Sequence, residues 1–175
     1  VDVSTLSDED LVRAAAAGGA DARGELFHRH WRAVWKRAYL VTGRPEAADD
    51  VTQDAFERAF RSLGTFERGA PFAPWIQRIA INRAIDLLRA ERRLAPLEAA
   101  PDRGEWDALP GGDRELQAAV AGLPAERRAV VILRFWADLR GPEIAELLDL
   151  PVGTVHSRLS RALDDLRSEL EEGRR

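Results

Sequence analysis

With 175 residues, 45% of them apolar, the chain is long enough for one ordinary domain or two small ones and too apolar for wholesale disorder. Its net charge of −4 argues against a general, tight binder of DNA, and the absence of cysteine excludes disulfides, thiolate zinc sites and thiol redox sensing. No apolar run approaches the ~18 residues needed to cross a bilayer, and the N-terminus is acidic where a secretory signal would be basic, so a cytoplasmic protein without membrane insertion is expected.

Ser7 is expected to cap a first helix, with Asp8, Glu9 and Asp10 in the turn where the helix dipole favours negative charge and Gly18-Gly19 at its end. Asp21 then caps a longer helix, in which Leu26, Trp31, Val34, Trp35, Ala38 and Tyr39 supply apolar spacing as far as Gly43. Pro45, whose missing N–H costs nothing in a first turn, starts a third helix that runs to about Leu63. In it Val51, Ala55, Phe56, Ala59 and Phe60 form an apolar stripe, while Asp49, Asp50, Gln53, Asp54 and Glu57 crowd the other side. A loop, GTFERGAP, leads to a fourth helix over residues 72–93. Its broad apolar face carries Trp75, Ile76, Ile79, Ala80, Ala84, Leu87 and Leu88, with Trp75 assigned to the core. Arg78, Asn82, Asp86, Arg89 and Arg93 recur at three- or four-residue steps and therefore share one stripe. No segment alternates with period two over a strand's length, so no sheet is expected.

Residues 94–112 hold three prolines, three glycines and no helical period, which reads as a flexible linker. It is acidic, with Glu98, Asp102, Glu105 and Asp107, and Trp106 and Leu109 stand out in it as apolar. Charge is unevenly spread along the chain. Residues 68–93 carry six arginines against Asp86 and Glu91, a local net charge of +4, and residues 94–122 carry Arg103 and Arg114 against six acids, a local −4. That pattern suits local contact with nucleic acid in a chain that does not hold DNA tightly by itself.

A second helical unit follows: residues 113–122, residues 124–137, and then a short helix, a tight turn and a longer helix in residues 142–166. Pro142 opens the short helix, where Ile144, Leu147 and Leu148 have helical spacing, and Asp149-Leu150-Pro151 breaks it. On the long helix, about residues 152–170, Val155, Leu159, Ala162, Leu163 and Leu166 lie on one face and Thr154, Ser157, Arg158 and Arg161 on the other. This is a helix-turn-helix, whose second helix enters a major groove with its N-terminal polar residues leading. Arginine reads guanine through two parallel hydrogen bonds, which makes Arg158 and Arg161 the leading base readers, with His156, Ser157 and Ser160 nearby. Thr154 and Arg140 suit phosphate contacts. The fold class expected is all-α: two small helical domains joined by a flexible linker, the second ending in the helix-turn-helix.

No glycine-rich phosphate loop, metal-ligand cluster or nucleophile–base pair is present, so no catalytic residue, metal or cofactor is expected. His28 and His30, two apart on a helix, diverge and do not make a metal pair.

Residues 47–60, 72–93 and 123–163 together resemble the conserved regions 2.2, 2.3–2.4 and 4 of bacterial extracytoplasmic-function (group IV) sigma factors, in the family's order and spacing. The resemblance implies a dissociable subunit that directs core RNA polymerase to specific promoters and promotes strand opening. It implies that residues 1–93 form the region 2 domain, residues 94–112 the connector and residues 113–175 the region 4 domain. Asp49, Asp50, Gln53, Asp54 and Glu57 would then bind core polymerase. Arg78, Asn82, Arg83, Asp86, Arg89 and Arg93 would meet the −10 element of promoter DNA, with Asn82 at the base-contacting position. Arg140, Thr154, His156, Ser157, Arg158, Ser160 and Arg161 would meet the −35 element. Phe66 and Phe72 either stack on bases or pack in the core, with packing favoured. An anti-sigma factor is implied as a further partner. The alternative is a sigma-like mimic that binds an anti-sigma factor without binding DNA, against which the intact arginines of both DNA-facing helices argue.

Overall fold

The computed structural model describes residues 3–67, 69–94 and 114–172, and among them there are eight α-helices and no strand. α1 (Asp8–Ala16), α2 (Ala20–Thr42), α3 (Pro45–Ser62) and α4 (Phe72–Leu94) form the N-terminal unit. α5 (Arg114–Gly122), α6 (Ala125–Phe135), α7 (Gly141–Leu148) and α8 (Val152–Glu172) form the C-terminal unit. The all-helical, two-unit expectation is met. Of the expected linker only Leu94 is described, as the last residue of α4. Glu98, Asp102, Glu105, Trp106, Asp107 and Leu109 lie outside the described residues, as do the last three of the chain.

The helix ends follow from local chemistry. The Ser7 hydroxyl accepts from the Asp10 N–H at 3.2 Å and donates to its carboxylate at 2.7 Å, closing the first turn of α1. Removing that cap, Ser7→Ala, should cost about 1 kcal/mol, read as a lower midpoint in urea unfolding with an unchanged slope. Gly43 adopts the left-handed conformation (φ 76°) that ends α2, and Pro45 sits in the first turn of α3. Asp149, also left-handed at φ 55°, ends α7 two residues before Pro151. Asp21 is not the cap of α2. Gly19 takes that position, its N–H bonded back to the Ala14 carbonyl at 2.9 Å, and a Cβ on it would lie 2.9 Å from the same oxygen. The backbone turns so tightly there that only glycine fits, and Asp21 falls inside the first turn.

In the N-terminal unit α2, α3 and α4 pack on one another around Leu26, Val34, Val51, Phe56, Ile76 and Ile81, with α1 laid against α2. Arg29 ties the N-terminal segment down: it donates to the Ser4 and Leu6 carbonyls at 2.8 Å and to the Asp8 and Glu25 carboxylates at 3.1 and 2.7 Å. His30 Nε2 lies 2.7 Å from the other Asp8 oxygen. His28 is exposed, so the two histidines part as their spacing requires. In the C-terminal unit α6 and α7 pack against α8 around Val131, Ile132, Ile144, Val155 and Ala162.

The two units also pack on each other. α4 meets α6 and α7, α2 meets α6, and the apolar core runs through both. Arg128 of α6, 6% exposed, donates to the Val41 carbonyl at the end of α2 and to the Ala121 and Leu123 carbonyls of its own unit. This docking explains why Ile81 and Ile85, outside the apolar face read from the sequence, are buried: α4 is covered from more than one side.

Candidate nucleic-acid interface

The acidic side of α3 divides into three. Asp50 is exposed, with no ion pair to a described residue. Gln53 and Glu57 are exposed and joined to each other at 3.4 Å, Glu57 also pairing with Arg61 at 2.9 Å. Asp49 accepts from the Trp35 indole N–H at 2.7 Å, which fixes it toward α2. Asp54 turns the other way, toward α4, where it pairs with Arg83 and with Arg58. Burial works to raise the Asp54 carboxyl, but the two arginines outweigh it and hold it below its ordinary range. Of the five expected polymerase contacts, Asp54 is therefore the one engaged in holding α3 to α4.

Beside this face, on α2, stand Phe27 and Trp31, 41% and 40% exposed. Phe27 packs on Phe56 with ring centroids 4.8 Å apart. Trp31 does not join the core, as its apolar character suggested. Its position puts it one turn from Phe27 along α2, with much of its ring in solvent. Trp35 and Tyr39 are half-buried and stack on each other at 5.0 Å.

On α4 the polar stripe is real, but it is not one uniform surface. Asn82 is exposed and makes no hydrogen bond to a described residue. Asp86 and Arg93 are also exposed, and Asp86 lies 3.6 Å from Arg89. Arg83 lies off this stripe, bonded to Asp54. Arg89 pairs with Glu126 of α6. Arg78 is half-buried in a cleft of about 550 Å3 between residues 65–78 and the start and face of α7, residues 139–147.

Of the loop aromatics, Phe72 is 2% exposed and packs in the core, between His30 at 5.3 Å and Trp75 at 5.8 Å. Phe66 is half-buried, 4.6 Å from Trp75. Trp75 packs against the core, as expected, but is only half-buried and also lines the cleft. The signal was available: Trp75 precedes Asn82 by seven residues, two turns, and so belongs to the polar stripe.

In the helix-turn-helix, α7 and α8 meet through Ile144, Leu148, Val155 and Leu159. Leu163, expected on the packed face, is 39% exposed because it sits on the outer edge of that face. Arg161 and Ser160 are exposed, and Arg161 has no ion pair to a described residue. Ser157 donates to the Thr154 carbonyl at 3.0 Å. Arg140 caps α7, its N–H donating to Glu143 at 2.7 Å, and that bond with the Arg140 side chain holds the Glu143 carboxyl below its ordinary range. His156 lies over the start of α7, so close to Gly141 that a Cβ there would come within 2.8 Å of its Nε2. Arg158 is half-buried on the side of α8 facing α6.

A helix-turn-helix on an all-helical body, with an arginine-bearing helix on the other unit, defines a DNA-binding protein of the kind that serves transcription. The family model for Sigma-70 region 2 matches residues 26–94, and that for Sigma-70, region 4 matches residues 113–166. The chain is 36% identical over 169 residues to the ECF RNA polymerase sigma factor SigM of Mycobacterium tuberculosis, spanning 89% of this chain and 81% of that protein. It is 31% identical over 182 residues to the RNA polymerase sigma factor CnrH of Cupriavidus metallidurans, spanning 94% and 95%. The solved structure of CnrH in complex with the cytosolic domain of CnrY is similar at a TM-score of 0.65 and 28% identity, over 94% of this chain and 97% of that one. The sigma factor RpoE of Bartonella quintana, solved with the anti-sigma factor NepR, shares the fold at a TM-score of 0.59 and 21% identity. The chain belongs to the ECF sigma factor family and is a sigma subunit that directs RNA polymerase to promoters. Among the described residues no helix is long and apolar enough to cross a membrane.

Proposed function

We propose that residues 1–93 bind core polymerase and the −10 element and that residues 113–175 bind the −35 element, with residues 94–112 connecting them. Core polymerase docks on Asp49, Asp50, Gln53 and Glu57, flanked by the Phe27 and Trp31 rings, while Asp54 supports that helix from behind. Asn82, with Arg78, Asp86, Arg89 and Arg93 on its stripe and Trp75 at its head, receives the −10 single strand. Arg83 braces the stripe through Asp54. Arg161, His156, Ser157 and Ser160 face the −35 bases, with Arg158 at their edge beside Glu126, and Thr154 and Arg140 grip phosphate.

Such a protein performs no covalent chemistry. Extruding a base costs a few kcal/mol, and contacts made only with the open strand supply it. The protein acts in the cytoplasm, and an anti-sigma factor, of the kind solved with the Bartonella quintana sigma factor, competes for the same faces.

The observation that best supports this reading is Asn82: an exposed amide without a hydrogen-bond partner among the described residues, in an arginine stripe headed by a tryptophan. An exposed polar side chain and a nearby aromatic are what a splayed base requires. The test is run-off transcription with purified core polymerase and mapping of the start sites. Wild type should confer site-selective initiation. Asn82→Ala should lower the permanganate-reactive fraction of the promoter about tenfold, a loss of ~1.4 kcal/mol, while still binding core. Equal reactivity of the two proteins would remove Asn82 from the strand-opening site.

A further inference from the structure

On α8 the exposed His156 ring is seated on the other helix of its motif. It lies over Gly141, the first residue of α7, with Nε2 2.8 Å and Cδ2 3.3 Å from where a Cβ on that glycine would stand. A Cβ does not come so close to a ring atom, so any residue but glycine at position 141 displaces the imidazole. Gly141 has helical backbone without a positive φ, so no left-handed turn calls for glycine there, and glycine weakens a helix relative to alanine. Pro142 supplies one reason for it, because proline disfavours helical backbone in a preceding residue that carries a Cβ. The room left for His156 supplies the second. Both sides of the seat are firm. α7 opens with the Arg140 N–H on the Glu143 carboxylate at 2.7 Å and the Ile144 N–H on the Arg140 carbonyl at 3.0 Å. α8 opens with the Thr154 and Val155 N–H groups on the Pro151 carbonyl at 2.9 and 3.2 Å. Val155, the neighbour of His156, is fully buried, as is Ile144 of α7.

We propose that Gly141 is a positioning residue for promoter reading: the notch it leaves holds the His156 ring in one pose, and the free edge of that ring reads one base pair of the −35 element. The inference rests on the −35 assignment above. An imidazole offers DNA its two ring nitrogens and little else that is polar. With one edge laid on Gly141, a single edge is left for the promoter. A ring fixed before DNA arrives loses little rotamer freedom on binding, which is how a preorganised contact gains affinity. Gly141 has no side chain to offer a base and acts through His156, so its effect must vanish when the ring is absent. Arg161 and Ser160, exposed further along α8, do not depend on the notch.

A double-mutant cycle tests the pair. Promoters changed one base pair at a time across the −35 element are titrated with holoenzyme carrying wild-type, Gly141→Ala, His156→Ala or doubly substituted sigma. His156→Ala should lower the preference at one base pair about fivefold, the worth of one hydrogen bond. Gly141→Ala should lower it at that same base pair at least about threefold, because the ring is the end of a side chain and swings aside. Added to His156→Ala, it should change nothing further. A Gly141→Ala effect of equal size with and without His156 overturns the proposal, and so does an unchanged preference or a loss spread evenly over all positions. Urea unfolding separates the Pro142 share, which shifts the midpoint alike in both backgrounds. The free protein gives a second reading by NMR. The His156 imidazole signal, identified by its loss in His156→Ala, should move in Gly141→Ala while those of His28 and His30, on α2, stay in place. An unmoved His156 signal overturns the seat. If Arg161→Ala and His156→Ala both left every −35 preference unchanged, the −35 assignment would fall and the reading role with it, while the imidazole signal would still decide the seat.

Discussion

Asp50→Arg together with Glu57→Arg is expected to weaken binding to core RNA polymerase by at least ~100-fold, about 2.7 kcal/mol, in a pull-down or fluorescence titration with purified core. Both positions are exposed, and among the described residues neither is tied to another helix: Asp50 has no ion pair, and Glu57 pairs along its own helix with Gln53 and Arg61. Reversing them leaves the packing of α3 untouched and turns attraction to a basic partner into repulsion, whose cost reaches several kcal/mol where like charges are juxtaposed in an interface. Asp54→Arg would look equivalent from the sequence and is a poor choice. It would set an arginine against Arg83 and Arg58, so lost binding would follow from a displaced α3 as readily as from a lost contact. Wild-type affinity in the Asp50/Glu57 double variant would move the polymerase face elsewhere on the molecule.

The contrast between Asp50 and Asp54 shows what a sequence does and does not carry. Helix identities and most ends were legible because each is written in local chemistry: Ser7 as a cap, Gly43 as a left-handed stop, Pro45 in a first turn, Pro151 after a break. The one misplaced start, at Asp21, came from a backbone contact between Gly19 and Ala14 that no propensity encodes. The acidic and cationic stripes were legible as stripes, since helical spacing fixes which residues share a face. Their division was not. Whether an acid meets solvent or an arginine depends on which neighbouring helix lies beside it, and Asp54–Arg83 is a contact between residues 29 apart. Trp31 lies further out, and Trp75 less deep, than their size suggests: a large ring raises the expectation of burial, while its helical position sets it at the edge. The docking of the two units had no signature. Glu126 reads as an ordinary acid in a first turn, and Arg128 as one more basic residue on α6, until α2 and α4 are beside them.

On the C-terminal unit the largest expected effect belongs to Arg161→Ala, which should cost ~1–3 kcal/mol on the preferred promoter and relax the preference at one −35 base pair. Arg161 is exposed on α8, two turns into the helix, with no carboxylate among the described residues to hold it. Its guanidinium is thus free to make the paired bonds to O6 and N7 of a guanine, and a matched guanine would lose both bonds at once in the alanine variant. Arg158 provides the internal comparison. It is half-buried and shares Glu126 with Arg89, and burial of Glu126 works to raise its carboxyl while the helix-start N–H, Arg89 and Arg158 outweigh it and hold it below its ordinary value. Arg158→Ala therefore removes a neighbour of the docked contact as well as a DNA contact, and its effect on transcription mixes the two. A set of promoters changed one base pair at a time, titrated with holoenzyme carrying wild-type or Arg161→Ala sigma, separates the possible roles of Arg161. Loss confined to one position identifies a base reader, whereas equal loss at every position, with a salt slope shallower by about one, identifies a phosphate clamp and passes the reading of sequence to His156, Ser157 and Ser160.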